Sequence, residues 1–232
     1  YFSFSNDVGF LKDKVIPFGE EIMTFYAEHY ETGDDGKLFL FPSQALETYW
    51  DIANPTPDIA GLRWNLGKLI SLPDTILDLR KKTEYRSLLS EIPEIPIGVR
   101  EGKKVFLPCG SVPEEVSNSE IPELYPVFPY RIYGVGKKGL DIARNSFDIS
   151  HNRFARCWQQ YDVVAAHLGR TDSLKKYIVQ RLDHTHPAAR FPVFWGNNMD
   201  WSPDQDHGGN LMIATQSMLI QSDDRLVHLL PA

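Results

Sequence analysis

Residues 153–183 read RFARCWQQYDVVAAHLGRTDSLKKYIVQRLD, and this stretch decides the fold class. It predicts two consecutive helices, over 153–168 and 171–183. Gly169 is placed to close the first helix, and Asp172-Ser173 to cap the second. Two helices with so short a connection are expected to form a pair.

The same rhythm of helices and long loops continues outside this stretch. Apolar residues at helical spacing predict further helices over 9–30, 58–72, 73–92, 137–147 and 209–221. Between them lie a short strand at 38–41, a polar loop over 42–58, a β-hairpin over 95–107, and irregular aromatic-rich loops over 108–136 and 191–207. Strands this few and weak exclude a parallel α/β sheet. The sequence therefore predicts a mainly α fold with minor β, in which paired helices form a toroid or bundle and the loops build a site at one end.

The composition is that of a globular protein of one or two domains. The chain has 232 residues, of which 42% are hydrophobic and 12% aromatic. A formal net charge of −7, with no basic run, argues against nucleic-acid binding. No stretch approaches the ~20 apolar residues of a membrane helix. Two cysteines, Cys109 and Cys157, cannot form a metal site by themselves and are interpreted as buried apolar residues.

Glu47 is the first candidate for chemistry. It lies in FPSQALETYWD, residues 41–51, next to Leu46 and close to the rings of Tyr49 and Trp50. Apolar surroundings of this kind raise the pKa of a carboxylate by desolvation, which suits a general acid. The alternative is a capping residue between a loop and a helix.

A second cluster is WSPDQDHGGN at 201–210, which opens the last predicted helix. Asp204 and Asp206 precede a pair of glycines that would let the backbone approach a ligand closely. The alternative is simple N-capping by either aspartate. A calcium loop is disfavoured because the downstream Glu of that motif is missing.

A third cluster is ELYPVFPYRIY at 123–133, where aromatic residues alternate with prolines that stiffen the chain. Arg131 could clamp a hydroxyl or carboxylate, and a packed surface loop is the alternative. The pair His184 and His186 is interpreted as a solvated loop. Neither a phosphate-binding loop nor a Gly-x-Ser-x-Gly elbow is present in the sequence.

Several segments resemble, in order, those of one enzyme family. LFPSQALE at 40–47 looks like a Ser-Pro-Ser-x-Ser-Pro-Glu loop, and NPTPDI at 54–59 like the Gly-Pro-Thr-x-Asp stretch after it. The helix from Cys157-Trp158 to Gly169 is similar to a Gly-Trp-Ser…Ala-Arg-Leu helix. SMLIQS at 217–222 and VHLLPA at 227–232 are similar to a Glu-Met-Leu-Leu-Gln-Ser…His-Leu-Leu-Pro-Ala ending. On these motifs the chain resembles glycoside hydrolase family 95 and its relatives.

This resemblance implies an (α/α)6 toroid, here partial, with residues 1–232 as a single catalytic domain truncated at both ends. It implies an inverting hydrolase of α-linked sugars, similar to α-L-fucosidases and α-L-galactosidases, without metal or cofactor. Glu47 takes the place of the general acid, and Asp206 that of the catalytic Asp, with Asp204 in that place if the alignment shifts by two residues. An inverting enzyme needs its two carboxyl groups roughly 6.5–9.5 Å apart.

The resemblance also implies a carbohydrate partner and an extracellular setting, secreted or periplasmic. Aromatic and polar residues near the matched segments are then candidates for substrate binding: Trp50, Tyr125, Phe128, Arg131, Trp195, Trp201 and His207. The family's Asn-x-Asn pair would lie upstream of Tyr1. NSEIPE at 118–123 replaces a His-rich loop that reads the sugar, so the choice between fucose and galactose stays open.

Two other functions stay open on the residues. One is a carbohydrate-binding or scaffold toroid that has lost catalysis, which would keep the aromatic residues and tolerate replacement of Glu47. The other is a polysaccharide lyase, in which Arg131 would face a uronic carboxylate and Tyr130 or Tyr133 would act as the base.

Overall fold

A computed structural model of the protein describes residues 2–183, 205–223 and 226–232. It is mainly helical with small antiparallel hairpins, which confirms the predicted fold class at that level. The chain divides into two compact units, one of Tyr1–Ile97 with Leu107–Asn118, the other of Gly98–Phe106 with Ser119–Ala232.

The first unit contains the N-terminal helices. They are α1 (Phe2–Ser5), α2 (Val8–Phe10), a π-helical turn (Leu11–Val15), α3 (Ile16–His29), α4 (Thr56–Ser71) and α5 (Leu79–Glu91). Pro17 lies in the first turn of α3, where its missing N–H costs no hydrogen bond. The predicted start of the third helix at Pro73 is wrong, because the side chain of Asp78 caps α5 by accepting a hydrogen bond from the Lys81 N–H at 2.9 Å.

Four short strands complete the first unit. They are β1 (Glu31–Thr32), β2 (Leu38–Phe39), β3 (Ser43–Ala45) and β4 (Tyr49–Ile52), paired β1 with β2 and β3 with β4. The prediction of a polar loop over 42–58 is therefore wrong in its first half. Ala45, Tyr49 and Ile52 are buried with Cys109, but a register shift between Ser43 and Ala45 breaks the alternation that would have indicated a hairpin.

The second unit begins with most of the predicted hairpin, β5 (Ile97–Arg100) and β6 (Lys103–Phe106), which form a two-stranded sheet. A 3₁₀ turn (Pro122–Leu124) follows, then α6 (Leu140–Ile149), α7 (Tyr161–His167), α8 (Thr171–Leu182), α9 (Asp206–Leu219), β7 (Ile220–Asp223) and β8 (Leu226–Leu229). The last helix thus ends at Leu219, and a hairpin that the sequence did not predict follows it.

The helix pair that defined the fold class is present in altered form. Gly169, at φ +62°, follows α7 as predicted, in the left-handed conformation that glycine adopts at low cost. Asp172 does not cap α8, since the helix already begins at Thr171 and Asp172 lies in its first turn. Residues 153–160 are not helical, so the prediction of a helix over 153–168 is wrong in its first half.

Helix α7 forms the core of the second unit. All seven of its residues are buried, and it packs against α8 and α9. The Tyr161 ring stacks on Phe147 of α6 with centroids 4.1 Å apart, and meets Tyr177 of α8 edge-on at 5.3 Å.

A buried ion pair lies between these helices. The side chains of Arg181 on α8 and Asp162 on α7 are 0% exposed, and Nε and Nη2 of Arg181 donate to the two carboxylate oxygens at 2.8 and 3.0 Å. The other three N–H groups of Arg181 donate to the backbone carbonyls of Cys157, Gln159 and His207 at 3.0, 2.7 and 3.3 Å. All five guanidinium donors therefore have an acceptor, which is the condition for tolerating a buried charge.

Neither cysteine forms a disulfide, and both are buried, as the sequence predicted. Within the described ranges, no helix combines the length and apolar character needed to cross a bilayer.

We predict that Asp162→Ala lowers the free energy of unfolding by about 3–5 kcal/mol, because it leaves a buried, uncompensated guanidinium. The matched control is Asp148→Ala, which removes the partly exposed partner of Arg170 and should cost no more than about 1 kcal/mol. Urea unfolding followed by near-ultraviolet circular dichroism measures both. Equal losses in the two variants would contradict the role of the buried pair.

Candidate functional site

A pocket of about 260 Å³ lies in the second unit. Its described walls come from two segments. The first, residues 119–125, includes the 3₁₀ turn, and the second, residues 152–161, leads into α7. Of the described residues that line the pocket, four are aromatic, namely Tyr125, Phe154, Trp158 and Tyr161; the others are Ser119, Glu120, Ile121, Asn152, Gln159 and Gln160. Flat apolar surfaces beside side-chain amides are suited to a ligand with both C–H faces and hydroxyl groups.

The wall at Trp158 and Gln159 depends on an unusual backbone conformation. Cys157 has φ +49°, a left-handed conformation that is unfavourable for a residue with a side chain. Its carbonyl accepts hydrogen bonds from Arg181 Nη1 at 3.0 Å and Asn210 Nδ2 at 3.2 Å, and its N–H donates to Nδ1 of His207 at 3.1 Å. Three side-chain contacts thus hold the turn immediately before the two pocket residues.

Gln159 is the most constrained polar residue of the pocket. It is 5% exposed, its carbonyl accepts from Arg181, and its side-chain Nε2 donates to Ser119 Oγ at 3.3 Å. Its side-chain Oε1 is buried and has no hydrogen-bond partner among the described residues. If the side-chain oxygen and nitrogen of Gln159 were exchanged, the nitrogen would be the atom without a hydrogen-bond partner. A buried polar atom left without a partner costs about 1–3 kcal/mol.

The pocket is close to neutral. Of the described residues that line it, Glu120 alone carries a charge. Burial, and secondarily the charge of Glu120, raises the pKa of Tyr125 to about 12, so its phenol stays protonated and able to donate a hydrogen bond. An anionic ligand in the pocket would meet the Glu120 carboxylate.

Glu123, in the 3₁₀ turn, is a second carboxyl group of this region. Burial raises its pKa, and its Oε1 accepts a hydrogen bond from Ser150 Oγ at 3.1 Å. The sequence does not indicate this perturbation, because the burial that causes it depends on tertiary packing.

Glu47 lies on the turn between β3 and β4, in the first unit. The ring of Tyr49 packs into the core and Trp50 is 53% exposed, so neither ring covers Glu47. The Glu47 carboxylate is exposed, and the apolar surroundings expected from the sequence are not formed. Its Oε2 accepts from Asn118 Nδ2 at 3.1 Å, and its backbone carbonyl accepts from Trp50 Nε1 at 3.0 Å. The alternative role as a cap between a loop and a helix is wrong, because a strand follows.

Asp206 is the first residue of α9, in the second unit, and is exposed. It is not the N-cap, which is Gln205; it contributes negative charge to the first turn, where the helix dipole favours it. Asp204, Trp195, Trp201, His184 and His186 lie outside the described residues.

The structure corrects the prediction that His207 binds substrate. Its side chain is 0% exposed, its Nδ1 accepts from the Cys157 N–H, and its Nε2 donates to the Arg181 carbonyl at 2.9 Å. Both ring nitrogens are used inside the protein, so His207 supports the fold.

Among the described residues, Tyr125 is the one predicted sugar-binding residue that lines the pocket. Phe128 instead stacks on His167 with centroids 5.6 Å apart. Arg131 donates to the Ser222 carbonyl at 2.7 Å, which fastens it to β7. Arg131, Tyr133 and His167 line a separate, smaller cleft with Lys137 and Asp223, which form an ion pair.

His167 is buried in this second cluster as a neutral imidazole. The side-chain Nε2 of Gln221 donates to the carbonyls of Ala166 and Ser217, both at 2.9 Å, so its Oε1 faces Nδ1 of His167 at 3.3 Å. The proton of His167 therefore sits on Nδ1. Burial, and then the positive charge of Arg131, lowers the pKa of His167 to about 4.

No three His, Cys, Asp or Glu side chains in the described part of the chain come together in a way that could hold a metal ion. Comparison of the chain with protein-family models and with curated protein sequences finds no match to either.

We predict that His167 makes the second unit lose stability in acid. In the unfolded state His167 binds a proton below pH about 6.5, but in the folded state it does so only below about 4. The contribution of neutral His167 to the free energy of unfolding is therefore complete above pH 6.5 and is lost as the pH falls to 4. The shift corresponds to about 3 kcal/mol.

The measurement is urea unfolding from pH 4 to 7 for the native protein and His167→Asn, whose amide can replace Nδ1. In His167→Asn, the free energy of unfolding should no longer fall steeply as the pH is lowered. In His151→Asn, a change at an exposed position, the steep fall should remain. Glu123, whose pKa is raised by burial, is present in every protein compared, so the difference between profiles isolates His167. Parallel profiles for the native protein and His167→Asn would contradict the assignment.

Proposed function

We propose that the chain is the larger part of an inverting glycoside hydrolase domain that acts on α-linked oligo- or polysaccharides. The observation that supports a carbohydrate ligand is the pocket of the second unit, where aromatic rings lie beside a buried amide with an unsatisfied atom. The resemblance to glycoside hydrolase family 95 supplies the reaction class and the six-hairpin toroid in which both units would be combined.

In this proposal two carboxylates divide the chemistry. Glu47 protonates the oxygen of the leaving sugar, and Asp206, or Asp204 in its place, deprotonates or orients the attacking water. Inversion requires room for that water between the two carboxyl groups. Glu47 and Asp206 are both exposed, which is a condition for reaching a polymeric substrate.

The support for Glu47 is its fixed position rather than its environment. Asn118 holds one carboxylate oxygen, and Trp50 holds the backbone of the same residue. A general acid needs such positioning before its pKa matters.

A fucoside or galactoside is the substrate class that the resemblance suggests, and a secreted or periplasmic location is part of the same proposal. The lyase alternative loses support, because the Arg131 guanidinium is bonded to the backbone of β7 and the pocket holds a carboxylate rather than a cation.

A carbohydrate-binding domain without catalysis is the second candidate. It is favoured by one observation: the described residues that line the pocket all belong to the second unit and include neither Glu47 nor Asp206. A binding site of this kind can work without the acid–base pair.

We predict that Glu47→Gln in the full-length protein lowers turnover of α-fucosyl or α-galactosyl oligosaccharides by about 10²–10⁴-fold, because general acid catalysis is lost. Asp206→Asn should have a similar effect if it is the base, and the released sugar should show inverted anomeric configuration by NMR. The control is Glu28→Gln, which changes an exposed glutamate of α3.

Calorimetric titration of the same oligosaccharides distinguishes the two candidates. A hydrolase loses turnover on Glu47→Gln and still binds sugar. If the native protein binds oligosaccharide but hydrolyses none, the binding domain is the correct description. Native turnover in Glu47→Gln would remove that residue from the mechanism.

A further inference from the structure

We infer that the pocket of the second unit is a subsite for one neutral pyranose ring, with the side-chain amide of Gln159 as its polar anchor and Trp158 and Tyr125 as its apolar walls. The inference rests on the proposed function for the chemical class of the ligand. It goes beyond the proposed function by naming the residues that bind the sugar. The sequence did not indicate such a role for Gln159 or Trp158.

Size limits the ligand to a single ring. The pocket volume of about 260 Å³ is slightly below the ~300–1,000 Å³ of sites that hold drug-sized ligands. A longer chain would therefore place one sugar residue in the pocket and the rest outside it.

Chemistry limits the ligand to a polyhydroxylated one. The buried amide of Gln159 has one atom without a partner, and Asn152 and Gln160 add two half-buried amides to the same walls. Amides both donate and accept, as sugar hydroxyls do, so adjacent hydroxyl groups can pair with them. The rings of Trp158 and Tyr125 offer the flat apolar surface that a C–H face of a pyranose covers.

Charge excludes an anionic sugar. Glu120 is the charged group among the described lining residues, and its carboxylate accepts hydroxyl hydrogens but repels a uronate. The Tyr125 phenol remains a donor, because burial and the charge of Glu120 hold its pKa high. Neutral and anionic sugars of otherwise identical shape should therefore bind differently.

The backbone of the pocket wall at residues 157–159 is held in place by hydrogen bonds from the core. Contacts from Arg181, Asn210 and His207 hold the backbone of Cys157 in its left-handed conformation, and Arg181 also holds the carbonyl of Gln159. The backbone of Gln159 is therefore held by a rigid core before any ligand arrives. Preorganisation of this kind lowers the entropy cost of binding.

NMR titration with D-galactose, L-fucose and D-galacturonate tests the inference directly on the native protein. We expect at least one of the two neutral sugars to bind. We also expect galacturonate to bind at least tenfold more weakly than the neutral sugar that binds better, and Glu120→Gln to narrow that difference. Binding of none of the three sugars would overturn the inference, and so would equal affinity for galacturonate and that neutral sugar.

Substitution of the anchor separates binding from folding. Gln159→Met keeps the side-chain length and should weaken neutral-sugar binding at least tenfold, while urea unfolding shows equal or higher stability because an unsatisfied buried atom is removed. Trp158→Ala should weaken binding similarly. The matched controls are Gln216→Met, at an exposed position of α9, and Trp64→Ala, in the first unit; both should bind like the native protein.

These results are independent of the hydrolase assignment. If Glu47→Gln retains turnover but Gln159→Met abolishes binding, the acid assignment fails and the subsite stands. If Gln159→Met binds sugar like the native protein, the subsite is wrong, whatever Glu47 does.

Discussion

The buried charge of Arg181 constrains the whole second unit. A guanidinium that is removed from water must have every donor satisfied, and here a bidentate carboxylate and three backbone carbonyls do so. Those five acceptors come from α7, from the segment before it and from the start of α9. One side chain of α8 therefore fixes the positions of three other parts of the chain, and losing it would leave several buried groups without partners at once.

This constraint produces the pocket. The carbonyls of Cys157 and Gln159 both bond to Arg181, and the chain passes through a left-handed turn at Cys157 instead of a helix. The strain of that turn and the unsatisfied amide atom of Gln159 occur within three residues. Unfavourable features that cluster in a well-packed core are typical of binding sites, where stability is exchanged for recognition.

The sequence predicted those helices whose position is determined by neighbouring residues. Gly169 ends α7 and the apolar spacing of α8 persists in the structure, because capping and periodicity are properties of neighbouring residues. The helix expected over 153–160 failed because its backbone bonds to Arg181, more than twenty residues away. His207 next to Asp206 gave no local sign of burial, and Gln159 no sign of an unsatisfied atom. Motif resemblance selected Glu47 and Asp206, while the pocket became visible only through tertiary contacts.

The most direct measurement of the central claim is a crystal structure of the protein soaked with the neutral sugar that binds best in solution. The account predicts one pyranose in the pocket, with a hydroxyl at hydrogen-bonding distance, about 3 Å, from the side-chain amide of Gln159 and its apolar face on Trp158 or Tyr125. A sugar bound elsewhere, with Gln159 still unpartnered, would contradict it.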